Sequence, residues 1–109
     1  MNTASLIRRY GKGRAWDRAG LYFLDPPLPQ IVRDGTHEQH KYVMVMVQGD
    51  SSELYAADHN GTLRDGARWY PLTHDDMTPR GVRLVDNPSC TAALEAEGYT
   101  VVPLGEVTA

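Results

Sequence analysis

Tyr42 to Val47 (YVMVMV) is six consecutive apolar residues, three of them β-branched valines. Bulky and β-branched side chains favour extended backbone, and a run with no polar alternation predicts a strand buried on both faces. Side chains alternate along a strand, so Met44 and Met46 belong to one layer and Val43, Val45 and Val47 to the other. A strand of this kind needs neighbours on its edges and cover on both faces. The rest of the chain has to supply them.

Leu21–Leu24 reads as a short strand that stops at Asp25-Pro26-Pro27-Leu28-Pro29, where three prolines remove backbone donors and favour an extended polyproline conformation. Glu53–Ala57 reads as the strand after the apolar run. Asp58-His59-Asn60-Gly61 follows as a type I′ turn, folding residues 54–57 back onto Thr62 and Leu63. Val82–Val85 forms a further short strand and Tyr99–Val102 a closing one. Between them lies the one clear helix, with Asn87 at the N-cap, Pro88 at the first helical position and Gly98 at the left-handed position past the end. Cys90, Ala93 and Leu94 share one face of it. These elements predict an α+β fold: a mostly antiparallel sheet of four or five short strands with one main helix packed on one face.

At 109 residues the chain is one domain. Residues 1–20 carry five bases (Arg8, Arg9, Lys12, Arg14, Arg18) against one acid, Asp17, with weak periodicity. They read as a flexible or weakly structured basic segment ahead of a single α+β domain at 21–109. The net charge of −3 gives no global footprint for nucleic acid. One cysteine excludes an internal disulfide framework and a cysteine-based zinc finger. No stretch approaches the roughly 18 apolar residues of a membrane span, and no signal-peptide core is visible, so the expected place is the cytoplasm.

Candidate chemistry is sparse. His37, His40, His59 and His74, with Asp58 and Asp76, are suitable metal ligands, but the spacing of a zinc hydrolase is absent. Cys90 sits in the first helical turn, where the dipole favours a thiolate; against that, free cysteine is among the most buried residue types. Gly11-x-Gly13, with Lys12 and Arg14, lacks the preceding strand, the third glycine and the Gly-Lys-Ser/Thr ending of a phosphate-binding loop. Pro26–Pro29 has the spacing of a proline-rich ligand, or simply stiffens a crossing between strands. No cofactor is expected, and no enzyme.

Asp25-Pro26-Pro27-Leu28-Pro29, Lys41-Tyr42-Val43-Met44-Val45, Glu53–Asp58, Asn60-Gly61 and Ala92-Ala93-Leu94 ahead of Gly98-Tyr99 together resemble a pattern found in small uncharacterised proteins of actinobacteria and their phages. The likeness runs over residues 25–102. Residues 64–86 are longer here than in that pattern, and the first twenty have no counterpart. The resemblance implies a phage-related origin and carries no catalytic residue.

Aromatic and arginine side chains side by side mark binding surfaces. Trp16 beside Arg14, and Trp69-Tyr70 beside Arg68, are the positions for one. The expected function is therefore a small non-enzymatic protein-binding module with a protein partner. Two alternatives stand beside it: a nucleic-acid-binding accessory protein using the basic N-terminal segment, and an enzyme dependent on a metal or on Cys90.

Overall fold

A computed structural model describes residues 2–10, 17–31, 37–63 and 71–102. Six strands and one helix follow one another: β1 (Thr3–Arg9), β2 (Ala19–Ile31), β3 (His37–Gln48), β4 (Ser51–Ala56), β5 (Gly81–Val82), α1 (Cys90–Ala96) and β6 (Thr100–Val102). The strands form one sheet in the order β5-β4-β3-β2-β1-β6. Its curl makes an open half-barrel. β1 to β4 are an antiparallel meander, β5 pairs antiparallel with β4, and β6 lies parallel to β1.

This corrects the expected α+β sheet of four or five short strands with a main packed helix. The sheet dominates: β2 and β3 are 13 and 12 residues long, whereas α1 has seven. The prolines do not end β2. The β2–β3 register shifts between Phe23↔Tyr42 and Leu28↔His40, so four residues of β2 bulge opposite one of β3 and pairing resumes beyond them. A bulge lets a strand carry proline because the missing donor is not needed there.

Within the segment expected to be flexible or weakly structured, the described residues include strand. Thr3–Arg9 is a strand held between β2 and β6, and the boundary drawn at residue 20 falls inside β2. Ala4 and Leu6 point into the half-barrel and are buried there. The β1–β2 register slips between Leu6 and Arg8, leaving Ile7 as the extra residue. Such a bulge reverses the alternation beyond it, which turns Arg9 to the inner side.

The β3 run is buried on both faces. Val43 and Val45 join Ala4, Leu6, Tyr22, Leu24, Leu28 and Leu54 in the inner core, which Cys90, Ala93 and Leu94 of α1 complete. Met44 joins Leu21, Tyr55 and Ala57 in an outer core, with Met46 packed against it. The helix is a plug in the curl, and its ends are closed by local chemistry. Ser89, not Asn87, is the N-cap: its Oγ accepts from the Ala92 amide at 3.0 Å. Asn87 instead has φ +55, a left-handed conformation that asparagine tolerates. At the other end Gly98, at φ +89, donates to the Glu95 carbonyl and Tyr99 donates to the Leu94 carbonyl. That pair of bonds is a Schellman ending, where a residue other than glycine would be strained.

Candidate functional site

Arg9, once turned inward, meets Asp17. Its Nη1 donates to Asp17 Oδ1 at 3.0 Å. Asp17 also covers the start of α1: its backbone carbonyl accepts from the Cys90 amide at 2.9 Å, and Oδ2 accepts from the Thr91 amide at 3.3 Å. The amides that favour a thiolate at Cys90 are thereby occupied by an anion. Burial, reinforced by the charge of Asp17, pushes the Cys90 thiol up to about 12, and the thiol donates to the Val45 carbonyl. Beside it the fully buried Tyr22 hydroxyl is also raised by burial, has the thiol as a weak neighbour and makes no stronger hydrogen bond. This constellation holds the N-terminal strand, the helix and the curl together. It does not produce a nucleophile, because the reactive form of cysteine is the thiolate.

The histidines are dispersed. His40 is buried within β3, 3.5 Å from Glu38 Oε2. His59 is exposed on the hairpin after β4, its ring 6.3 Å from that of Tyr42. His74 lies across the molecule, 3.4 Å from Glu97 Oε2. Among the described residues no group of three or more His, Cys, Asp or Glu could hold a metal ion.

Glu97 belongs to a second clasp. Its side chain is 3% exposed and receives Arg80 Nη1 at 2.7 Å and the Gly81 amide at 3.2 Å. Arg80 also donates to the Thr73 and Pro29 carbonyls at 3.1 Å each. The Pro26 carbonyl accepts from Tyr99 Oη at 2.8 Å. The proline segment is thus tied into the fold through its carbonyls, inside β2 rather than at a crossing between strands. Both clasps are consumed by architecture.

The segment from Pro71 to Asp86 is different. It runs along the outer edge of β4: Leu72 donates to Leu54, Arg80 to Leu72, and Val85 to Asp50. Within it His74–Thr78 forms a tight hairpin, with the His74 amide donating to the Thr78 carbonyl and the Met77 amide to His74. Asp58–Thr62 has the same pattern, Asp58 donating to Thr62 and Gly61 to Asp58. It is therefore a three-residue hairpin ending in a left-handed residue, and not the expected type I′ turn, since Asn60 keeps a negative φ. Gly61 occupies the left-handed position at φ +87, where a Cβ would run into the Tyr10 hydroxyl. In the other hairpin that position is Met77, at φ +72 and 75% exposed. Leu84 repeats the oddity at φ +52 and 81% exposed, with Val85 exposed beside it.

Arg14, Trp16, Arg68, Trp69 and Tyr70, the binding residues expected from the sequence, lie outside the described residues. Met77, Leu84 and Val85 were missed. A signal existed in the parallel between Asp58-His59-Asn60-Gly61-Thr62 and His74-Asp75-Asp76-Met77-Thr78, in which methionine stands where the turn calls for glycine. No helix among the described residues is long and apolar enough to cross a membrane. No family model, no curated protein and no solved structure matches the chain, so its own geometry carries the functional argument.

Proposed function

We propose that this is a non-enzymatic protein-binding module, acting in the cytoplasm, which docks through the edge at residues 71–86 with Met77 and Leu84 as anchors. One observation carries it. Two large apolar side chains are held in solvent on left-handed backbone, and neither burial nor backbone preference accounts for either. For an L-residue that conformation costs roughly 1–2 kcal/mol, and strain of this kind concentrates where a surface is used. Trp69 and Tyr70 immediately precede the edge in the sequence. A phage-related origin would make the partner a host or virion protein.

The test compares wild type with a Met77→Gly, Leu84→Gly double variant as bait in lysate of the source cells, read by quantitative mass spectrometry. Both glycines suit the backbone, so the variant should melt no lower than wild type while losing the proteins that wild type retains. The same proteins retained by both baits would end the proposal.

A further inference from the structure

The charges around the two anchors are lopsided. Asp75 and Asp76 are exposed beside Met77, and Asp86 is exposed beside Leu84 and Val85. Asp50, whose carbonyl accepts from the Val85 amide, adds a fourth exposed carboxylate, against two exposed guanidiniums among the described residues here, that of Arg83 and that of Arg18, which reaches the Gly49 carbonyl beside Asp50. The Asp76 carboxyl accepts from the Thr78 hydroxyl at 2.6 Å and from its amide at 3.1 Å, and the hydroxyl bond first of all holds it below the usual carboxylate range. Both apolar tips therefore stand in a negative rim.

From this we infer that the edge takes a basic, apolar partner: a protein surface or peptide whose aliphatic or aromatic cleft is bordered by lysine or arginine. The inference rests on the docking edge proposed above and adds the chemistry of its occupant. Complementary potentials steer association and suppress wrong partners. Phosphate backbones would meet like charge along this edge, and anionic lipid surfaces would be repelled in the same way. A nucleic acid or a membrane is accordingly the wrong occupant here. The apolar tips would set the residence time and the carboxylates the rate of arrival and its salt dependence.

A random peptide library displayed on phage, selected on the immobilised full chain and counter-selected on the Met77→Gly, Leu84→Gly variant, tests this on peptide chemistry alone. Enriched peptides should combine lysine or arginine with leucine, phenylalanine or tryptophan. A synthesised representative should bind more weakly as salt rises. Asp75→Asn with Asp76→Asn should weaken it roughly threefold to tenfold, as expected for two exposed charges. Enrichment of neutral or acidic apolar peptides that still require Met77 and Leu84 would overturn the inference and leave the docking edge standing. Enrichment of nothing that distinguishes wild type from the double variant would remove both.

Discussion

Met77 and Gly61 occupy equivalent positions in two hairpins of one shape, and the contrast separates a structural requirement from a surface one. Gly61 meets two constraints, a φ of +87 that strains any other residue and the Tyr10 hydroxyl, which a side chain would have to push aside. Nothing in the fold needs Met77. Replacing it with glycine relieves about 1–2 kcal/mol of left-handed strain and adds about 0.5–1 kcal/mol of unfolded-state entropy. The expected result in urea titration is a variant equal to wild type or slightly more stable; clear destabilisation would show that Met77 is held by packing after all. Glu97 is the opposite case. It is almost fully buried, and its removal would leave the Arg80 guanidinium without its carboxylate. Breaking one side of such a pair costs about 3 kcal/mol, so Glu97→Gln should lower the urea midpoint strongly at an unchanged slope. A shift within error would mean that Arg80 is satisfied by the Thr73 and Pro29 carbonyls alone.

Among the elements, α1 shares the inner core with β1 and is also joined to it by Asp17, which bonds both Arg9 and the first turn of the helix. Asp17→Ala would remove the Arg9 ion pair and the Thr91 amide bond together while leaving the backbone bond to Cys90 in place. A loss of about 2 kcal/mol is expected from equilibrium unfolding. Asp17→Asn, which keeps an acceptor for the helix, should lose less. Equal losses would assign the whole effect to the ion pair. The sequence disclosed local features more readily than this long-range one. The two-faced burial of β3 was legible because an unbroken apolar run has only one economical environment. So was the glycine that ends α1. β1 was not, because its polar positions hide a strand that is apolar only at Ala4, Leu6 and Ile7, and because the bulge breaks the alternation. Nor was the continuation of β2 through Pro26 and Pro27, since proline signals the loss of a donor but not whether a bulge makes that donor unnecessary. The parallel pairing of β6 with β1 joins the two ends of the fold and has no local signature. The left-handed backbone at Leu84 had no signature in the sequence, and that at Met77 showed only in the parallel with the Asp58–Thr62 hairpin, where glycine holds the same position.

At the scale of the whole molecule the half-barrel encloses two buried acids that have no use for their ionised forms. Cys90 is raised from an ordinary 9.0 to about 12, chiefly by burial and then by Asp17, and Tyr22 is raised from 10.0, chiefly by burial and then by Cys90. Both stay protonated in the folded state at pH values where the unfolded chain has already released its protons. The folded state then holds more protons, so stability must fall as pH rises. The loss begins near pH 9 with the thiol, at up to about 1.4 kcal/mol per pH unit, and steepens above pH 10 when the phenol joins. Below about pH 8 neither group contributes appreciable slope. Cys90→Ala should delay the onset to about pH 10. Tyr22→Phe should lessen the steeper part, to which Tyr55 and Tyr99, also raised by burial, contribute as well, and cost little at pH 7, because the hydroxyl it deletes makes no strong hydrogen bond. Urea midpoints measured between pH 7 and pH 11 decide the matter. A wild type with no alkaline loss, or a Cys90 that reacts at pH 8 with a thiol reagent faster than the protein unfolds, would mean that the thiol is not sealed under α1.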